Sequence, residues 1–278
     1  MKKNRLGLSI GALVLVLLLL SACGNNKAKN ETTTPEPAGS ATAEKSSLDK
    51  IKESGKLRIG TEGTYAPFTF HDDSGKLTGF DVEIAEEVSK HLGVKPEFIE
   101  TQWDGIFAGL EAGRFDAIFN EVSIREDRQE KYDFSDPYIV SKSLLLVRED
   151  NNEIKKLVDL KGKKSAQSLT SNLADIATAN GAEIVSVDGF NQAIDLLMSK
   201  RVDATINDNL SFLDLKKQKP DIKIKSVDET SDASQSAALF AKGNDELIRA
   251  VNQALSDMKS DGAYLKISEK YFGADVSK

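Results

Sequence analysis

The sequence predicts an α/β protein made of two lobes, each built on a mainly parallel sheet. Strand-like and helix-like segments alternate from residue 48 onwards, and a second α/β set follows the charged stretch at 148–156. This alternation is typical of βαβ units, in which neighbouring strands run parallel. A folded region of about 230 residues is long enough for two lobes of ordinary domain size.

The first 22 residues have the layout of a secretory signal. Lys2, Lys3 and Arg5 precede an apolar run from Leu6 to Leu20, and small residues follow that run. A transmembrane helix needs about 20 apolar residues, and this run is shorter. We therefore expect residues 1–22 to be a signal peptide rather than a membrane span.

Cys23 is the only cysteine in the chain. It can form no intramolecular disulfide and no cysteine-based metal site. Its position after the apolar run resembles the lipobox of bacterial lipoproteins, in which the cysteine is acylated, for example with palmitate. One acyl chain binds a membrane only marginally, so stable anchoring would require two or more. We expect the mature protein to begin at Cys23 and to be lipid-anchored on the extracytoplasmic face of the cell membrane.

The segment after Cys23 contains almost only small and polar residues as far as Ser47. Without large apolar side chains it cannot offset the entropy of ordering, so we expect a flexible tether over 23–47. The whole chain carries 37 basic and 44 acidic side chains, and three of the basic ones lie in the predicted signal peptide. Nucleic acid is therefore not expected as a partner, because binding it needs a basic surface.

Turn and capping signals divide the folded region into short elements. A stop at Ser54-Gly55 ends a first short helix that begins near Leu48, and apolar residues recur at helical spacing between Phe80 and Leu92. The further predicted helices are 103–110, 172–180, 190–199, 209–217, 244–259 and 262–272. The predicted strands are 56–60, 95–99, 115–119, 143–147, 164–166, 183–187, 204–206, 222–226 and 237–240.

The apolar run Ser143–Val147 meets the charged stretch 148–156, which indicates a lobe boundary. If the strands at 143–147 and 237–240 both cross between the lobes, the first lobe comprises 48–147 and 237–278, and the second comprises 148–236. The two crossing strands would form a hinge. Open α/β sheets bind ligands beyond the carboxyl ends of their strands. We therefore expect a ligand in the cleft between the lobes, where it favours a closed state.

Four segments carry the functional signal. In chain order they are Gly60–Phe68 with Gly79–Glu83, Trp103–Leu110 with Gly113–Ala117, Ser123–Arg128 running to Asp133–Tyr138, and Arg201–Asp208. Together they resemble the polar amino-acid family of solute-binding proteins that serve bacterial ABC importers, over about residues 48–276. The resemblance implies the type II periplasmic-binding-protein fold, an amino-acid ligand between the lobes, and delivery of that ligand to an ABC permease in the membrane.

An α-amino acid carries a carboxylate and an ammonium, so a selective pocket needs a cation, hydrogen-bond donors and an anion. Arg128 offers the planar guanidinium that suits a carboxylate; a surface arginine is the alternative. The resemblance implies that groups at Asn120, Glu121 and Ser123 assist Arg128. It also implies that Asp208 accepts the ligand ammonium. Asp208 is placed to cap the helix that follows it as well, and the two roles are compatible.

Aromatic residues are expected to sandwich the ligand side chain. The resemblance implies this role for Tyr65 and Trp103, and for Phe68, with core packing as the alternative for each. Thr170 and Ser171 match the second-lobe loop before a helix N-terminus, where backbone N–H groups favour a carboxylate. A simple turn stabilised by hydroxyl groups would explain that pair as well.

One position departs from the family pattern. Many members have a small, serine-like residue where this chain has Glu121. Either the Glu121 carboxylate faces the cleft, or Glu121 contributes only its backbone groups to the site. Glu62 poses the same question. L-Cystine carries a second ammonium that such carboxylates suit, and the segments 100–104, 165–172 and 272–277 resemble the cystine-binding members in particular. L-Cystine is therefore the favoured ligand, and glutamine, arginine or a sulfur analogue remain open.

An enzyme on the same fold is the first alternative to a binding protein. The chain has only two histidines, His71 and His91, and no metal-spaced cluster, so we expect no metal, no cofactor and no catalysis. His71 is expected in a hairpin turn at 71–75. A carboxylate enzyme using Glu62 or Glu121 is the form the alternative would take.

A sensory domain is the second alternative. Such domains are normally fused to membrane-spanning or signalling segments, and we recognise none from residue 48 onwards. We expect a monomer that docks on its permease.

Overall fold

The structure is a computed structural model, and it describes residues 45–278. The predicted signal peptide at 1–22, the lipidation site at Cys23 and the tether up to residue 44 lie outside the described residues. The first helix begins at Ser47, and the Ser46 hydroxyl caps it by accepting the Asp49 N–H at 3.2 Å. The predicted end of the tether at residue 47 is therefore corrected, because Ser46 and Ser47 already belong to this helix and its cap.

Short helices and strands alternate through the described residues. The helices are α1 (Ser47–Ser54), α2 (Phe80–His91), α3 (Trp103–Glu111), α4 (Glu126–Gln129), α5 (Asn172–Ala179), α6 (Phe190–Met198), α7 (Asn209–Gln218), α8 (Asp245–Asp261) and α9 (Ala263–Phe272). The strands are β1 (Lys56–Thr61), β2 (Thr64–Tyr65), β3 (Thr69–His71), β4 (Leu77–Thr78), β5 (Lys95–Glu100), β6 (Ala117–Ile118), β7 (Tyr132–Phe134), β8 (Ile139–Ser141), β9 (Ser143–Arg148), β10 (Lys164–Gln167), β11 (Glu183–Ser186), β12 (Ala204–Asp208), β13 (Ile224–Glu229), β14 (Ser234–Ser236) and β15 (Leu239–Ala241).

Two five-stranded sheets form the centres of the two lobes, in the orders β5-β1-β6-β15-β7 and β11-β10-β12-β9-β13. Parallel pairs join β5, β1 and β6 in the first sheet, and β11, β10 and β12 in the second. Only the fourth strand in each order, β15 or β9, runs against its neighbours. The predicted fold, two mainly parallel α/β lobes, is confirmed.

The two reversed strands each follow a short strand that connects the lobes. These linker strands, β8 and β14, pair with each other antiparallel and form a separate two-stranded sheet. The chain enters each sheet from the opposite lobe at this point, which explains why β9 and β15 are reversed.

The crossing strands were predicted at the wrong place. Ser143–Val147 does not cross between the lobes, because β9 pairs along its length with β12 and β13 inside the second sheet. Its apolar sequence reflects this interior position, and the segment belongs to the second lobe. Similarly, β15 lies in the first sheet, and the crossing is made by the three-residue strands β8 and β14 that precede β9 and β15.

Helices cover the sheets with apolar faces of the predicted period. In α2 the side chains of Phe80, Ile84 and Val88 recur every four residues and are fully buried. In the second lobe Phe190 and Leu197 of α6 pack in the same way on the second sheet. None of the helices between residues 45 and 278 is long and apolar enough to span a membrane.

A small antiparallel sheet of β2, β3 and β4 lies beside the first lobe's main sheet and was not predicted. The turn between β3 and β4 is closed by a bond from Asp72 N–H to the Lys76 carbonyl at 3.0 Å. The predicted hairpin is present, but His71 is the last residue of β3 and the turn begins after it. The strands are two or three residues long, too short to show a periodic pattern.

Candidate ligand-binding cleft

A cavity lies between the two lobes at the carboxyl ends of their central strands. This is where an open α/β sheet places its ligand. The first lobe contributes Glu62, Tyr65, Trp103, Asn120 and Glu121 to the wall. The second lobe contributes Ala166, Gln167, Ser168, Ser171, Asn172, Leu173, Val187, Gly189, Phe190, Ala193, Thr205 and Asn207.

Glu62 and Asn120 form a reciprocal pair on the first-lobe wall. The Asn120 amide donates to Glu62 Oε2 at 2.6 Å, and the Glu62 backbone N–H donates to Asn120 Oδ1 at 2.8 Å. Burial raises the pKa of Glu62 to about 7, although the Asn120 amide works in the opposite direction. Glu62 therefore presents a carboxyl to the cavity whose charge depends on what lies next to it.

Glu121 is fixed at both its backbone and its side chain. Its φ of 52° is in the left-handed region, which non-glycine residues adopt only under strong local constraint. Its N–H donates to Asp81 Oδ2 at 2.6 Å, and its Oε1 accepts from the Ser236 hydroxyl at 3.0 Å. Burial and the neighbouring Asp208 raise the pKa of Glu121 well above its usual range. Glu121 is a residue of the cavity wall, and its carboxylate is bonded to the linker strand β14.

Arg128 and Trp103 stack against each other beside the cavity. The guanidinium carbon lies 5.3 Å from the Trp103 ring centroid and 5.3 Å from that of Phe107. One guanidinium nitrogen, Nη1, donates to the Ser123 carbonyl at 3.0 Å. Burial lowers the pKa of Arg128 to about 10, so the group stays protonated at neutral pH.

Two donors at this place have no partner among the described residues: Arg128 Nη2 and Trp103 Nε1. Both atoms are buried, and leaving a buried donor unpaired costs free energy. A ligand acceptor that reaches Arg128 Nη2 or Trp103 Nε1 from the cavity would remove the free-energy cost of the unpaired donor.

Asp208 lies behind the cavity wall at the end of β12. Its Oδ1 accepts the Leu210 N–H at 2.8 Å, so it caps α7, and its Oδ2 accepts from the Ser141 hydroxyl. Burial raises the pKa of Asp208 to about 6, while these donors lower it. The neighbouring Asn207 lines the cavity instead, and its Oδ1 accepts from the Tyr65 hydroxyl at 3.2 Å.

Phe68 and Thr170 are placed away from the cavity. Phe68 is fully buried in the first-lobe core, where its ring centroid lies 5.1 Å from that of Tyr65 and 5.9 Å from that of Phe272. Thr170 is exposed and binds Asp104 across the lobes. Its neighbour Ser171 does line the cavity and caps α5 by accepting the Ala174 N–H at 3.1 Å.

The residues that the sequence reasoning missed lie mostly on the second-lobe wall. Gln167, Ser168 and Asn207 lie at or just after the carboxyl ends of β10 and β12. Their position at the ends of predicted strands is the one sequence signal that could have identified them. Phe190 reaches the cavity from the start of α6, and no local pattern distinguishes it from a core residue. Among residues 45–278 no group of three or more His, Cys, Asp or Glu side chains is arranged to hold a metal ion.

A closed cleft between two α/β lobes, lined by aromatic and charged side chains, is the binding site of a two-lobed solute-binding protein. The chain belongs to the bacterial extracellular solute-binding proteins, family 3, whose family model matches residues 57–274. The resemblance stated from the sequence is thereby confirmed.

Three known proteins show how similar this chain is to its relatives. The L-cystine-binding protein TcyA of Bacillus subtilis (strain 168) is 46% identical over 279 aligned positions, covering 100% of both chains. The L-cystine solute receptor of Neisseria gonorrhoeae, in its unliganded open conformation, is 45% identical with a TM-score of 0.57, covering 84% of this chain and 100% of that one. An ancestral arginine-binding protein bound to arginine is 41% identical with a TM-score of 0.74, covering 78% and 98%.

The lobes stand in a closed arrangement. The open receptor superimposes less well than the arginine-bound protein although its sequence is more similar, which indicates a different angle between lobes of the same fold. Bonds across the cleft support this: Arg125 Nη1 lies 2.7 Å from Asp175 Oδ2, and the Ser211 hydroxyl donates to the Ala66 carbonyl at 3.0 Å. The cavity is therefore seen with the two lobes closed towards each other.

Proposed function

We propose that this protein captures L-cystine outside the cytoplasm and delivers it to the permease of an ABC importer. The observation that carries the proposal is the combination of unsatisfied donors and buried carboxyl groups in and next to one cavity. Trp103, Glu62 and Glu121 belong to the cavity wall, and Arg128, which is not a wall residue, offers its Nη2 next to Trp103. A zwitterion is complementary to both.

The α-carboxylate of the ligand is assigned to Arg128. The guanidinium is held by the Ser123 carbonyl and by the faces of Trp103 and Phe107, so its orientation is fixed before a ligand arrives. A charge-assisted bond to a carboxylate would satisfy Nη2. Ser123 then acts through its carbonyl, as support for Arg128.

The α-ammonium is assigned to Glu121 and Asp208, one carboxylate from each lobe. Each raises the cost of ionising the other, and both are buried. An ammonium between them removes that repulsion and joins the lobes, so it favours the closed state. The capping of α7 by Asp208 is compatible with this role, because the cap uses Oδ1 and the backbone of Leu210.

The second ammonium and the second carboxylate of cystine are assigned to the remaining polar groups of the cavity wall. Glu62 is a further buried carboxyl on the first-lobe wall and suits a second ammonium. The opposite wall carries neutral hydrogen-bonding side chains, among them Gln167, Ser168 and Asn172, which suit a second carboxylate. Relatives that share 46% and 45% identity with this chain are named for L-cystine.

Arginine is the second candidate ligand, because its guanidinium also suits Glu62 and Glu121. Structures similar to this chain are described as bound to arginine and to glutamine. Arginine has one carboxylate, so it leaves the neutral second-lobe wall without an anion. Cystine uses both walls, and we favour it for that reason.

We further propose binding without turnover. Glu62 and Glu121 are the carboxyls that an enzyme on this fold would use, and in this chain each has a partner that fixes it, Asn120 and Ser236. The relatives are solute-binding proteins; one structural neighbour is an ancestral amino-acid-binding protein described as a precursor of cyclohexadienyl dehydratase. Recovery of the bound ligand with unchanged mass after prolonged incubation is the test.

Anchoring through acylated Cys23 belongs to the same proposal and rests on the sequence. The wild-type protein should incorporate labelled palmitate and sediment with membranes, whereas Cys23→Ala should do neither. A wild-type protein that is secreted unlabelled would overturn the anchor and leave the ligand assignment untouched. A single mass in light scattering that equals one chain would support the proposed monomer.

The decisive measurement is a thermal shift of the mature chain, from residue 23, against the standard amino acids and cystine. Carried-over ligand is first removed by partial unfolding, because a bound ligand raises the melting temperature by mass action. The largest shift should come from cystine. A larger shift from arginine or glutamine would replace the ligand, and the absence of any shift would overturn amino-acid binding.

The matched variants are Arg128→Lys and Arg114→Lys. Lysine keeps the charge but loses the planar fork, so Arg128→Lys should weaken cystine binding about 10- to 100-fold. Arg114 is exposed, and its replacement should leave the affinity unchanged. Equal affinities for the two variants would remove Arg128 from the site.

A further inference from the structure

The linker strands β8 and β14 each place one serine hydroxyl on a carboxylate that is assigned above to the ligand ammonium. On β14, Ser236 Oγ donates to Glu121 Oε1 at 3.0 Å. On β8, Ser141 Oγ donates to Asp208 Oδ2. Both serines are buried, so these bonds are shielded from water. The two carboxylates come from different lobes, yet both are held by the strands that connect the lobes.

The bond from Ser236 is the side-chain contact that directs Glu121. The backbone of Glu121 is held in a left-handed conformation by its bond to Asp81, which fixes where the side chain begins. Ser236 then fixes where it ends. Conformations of this kind persist where the surroundings over-determine them, and they concentrate at ligand clamps.

The same strands are tied to both lobes through the backbone. The segment after Glu121 runs beside β14: Ile124 N–H donates to the Gln235 carbonyl at 2.8 Å, and Ala237 N–H donates to the Val122 carbonyl at 3.1 Å. In the second lobe Asp208 pairs with Ser143, two positions after Ser141 in the sequence. A change in the linker strands therefore reaches both carboxylates directly.

We propose that Ser141 and Ser236 are positioning residues for ligand capture, which hold Asp208 and Glu121 in the orientation that receives an ammonium. The proposal rests on the proposed function, because it assumes an ammonium-bearing ligand. It assigns to the linker strands a role in affinity in addition to their role as hinge.

Hydrogen bonds to an ionised carboxylate favour its charged form. The charged and titratable groups that face Glu121 are Asp208, Asp81, Arg128, Tyr65 and Tyr138. Of these only Arg128 favours ionisation of Glu121, so the hydroxyl of Ser236 opposes burial and two acidic neighbours. Without it, Glu121 should hold its proton to a higher pH, and an ammonium should bind less well at neutral pH.

The test compares cystine affinity by calorimetry from pH 6 to pH 9 for the full mature protein and its Ser236→Ala, Ser236→Thr, Ser141→Ala and Ser141→Thr variants. Loss of one charge-assisted bond should weaken binding about 10-fold at pH 7 for each alanine variant. The pH profile of binding should move to higher pH, and the threonine variants should restore both. Ser234→Ala on the same linker strand is the control, because Ser234 has no side-chain bond in the described structure.

A double-mutant cycle separates positioning from general stability. In a Glu121→Ala background, Ser236→Ala should have little further effect on binding, because the two residues act as one unit. The proposal is overturned if Ser236→Ala lowers the cystine affinity equally in the wild-type and Glu121→Ala backgrounds. It is also overturned if the pH profile of binding for Ser236→Ala is identical to that for Ser234→Ala. In either case cystine binding by the wild type stands. Failure of the wild type to bind any amino acid would overturn the proposed function and this proposal together.

Discussion

Asp104 of the first lobe accepts two hydrogen bonds from Thr170 of the second lobe, from its backbone N–H at 3.0 Å and its hydroxyl at 2.8 Å. Thr170 was expected to contact ligand. Instead it closes the mouth of the cleft, and Ser171 beside it faces the cavity. These bonds join the two lobes, so they stabilise the closed arrangement.

Removing this contact should speed ligand release. Asp104→Ala loses both bonds and should weaken binding about 10-fold, whereas Thr170→Ala keeps the backbone N–H and should weaken it about 3-fold. Stopped-flow fluorescence of Trp103, the only tryptophan in the chain, would measure the rates. The change should lie in dissociation; an equal change in association by both variants would contradict a closing role.

The ion pair between Arg125 and Asp175 should make the affinity depend on salt. Its two atoms lie 2.7 Å apart across the lobes, and the side chains are partly exposed. Asp175→Asn should weaken binding about 2- to 5-fold at low ionic strength, and the difference should fade at high salt. Asp127 binds the same arginine within the first lobe, so Asp127→Asn is the control and should change binding less. If the affinity of the Asp175→Asn variant depends on salt as strongly as that of the wild type, the salt dependence comes from other charges.

The unliganded protein should lose stability as the pH rises from 5 to 8. Burial raises the pKa of Glu62 to about 7 and that of Asp208 to about 6, so the folded state binds these protons more tightly than the unfolded chain. The resulting stability is complete below the unfolded pKa values and is lost as the pH passes the folded ones. Carboxylates with lowered pKa, such as Asp150, are ionised throughout this window and do not oppose the trend.

The Glu62→Gln variant measures one part of that loss. Glutamine carries no charge, so the fall in the free energy of unfolding between pH 5 and pH 8 should shrink by on the order of 1–3 kcal/mol. Denaturant titrations at the two pH values give the numbers, with the exposed Glu246→Gln as control. An unchanged slope in Glu62→Gln would mean that Glu62 ionises freely in the folded protein.

Gly79 should tolerate no side chain. Its φ is 131°, and a Cβ atom there would lie 2.2 Å from the Phe68 carbonyl oxygen. Gly79→Ala should lower the free energy of unfolding by about 3–4 kcal/mol. Gly75 also has a positive φ, of 81°, but no heavy atom lies within 4 Å of its Cβ position, so Gly75→Ala should cost about 1–2 kcal/mol. Similar losses for the two would show that backbone conformation, and not the clash, limits the site.

Local patterns were sufficient for most of the fold. The helices with apolar residues at regular spacing, such as α2, and the apolar strands, such as β9, were predicted at nearly their observed positions. The linker strands β8 and β14 were missed, because each is only three residues long, too short to show a periodic pattern. Their existence depends on pairing with each other across the chain, which a local pattern does not contain.

The candidate site divides in the same way. Trp103, Tyr65, Asn120 and Glu121 were identified from their motifs and line the cavity. Phe68 belongs to the same first motif, yet it faces the core, because neighbouring side chains in a turn point in different directions. Spacing alone does not say which of them faces a ligand.

The sequence by itself determined the class of protein, the two α/β lobes and the residue types needed to hold a zwitterion, because these follow from periodicity, composition and motif. Only the tertiary structure decided which strands connect the lobes, that Thr170 meets Asp104, and that two linker serines bond to the carboxylates of Glu121 and Asp208. The physical reason is that these contacts join residues far apart in the chain: their partners are selected by how the two sheets fold and close on each other, and no short stretch of sequence specifies that arrangement.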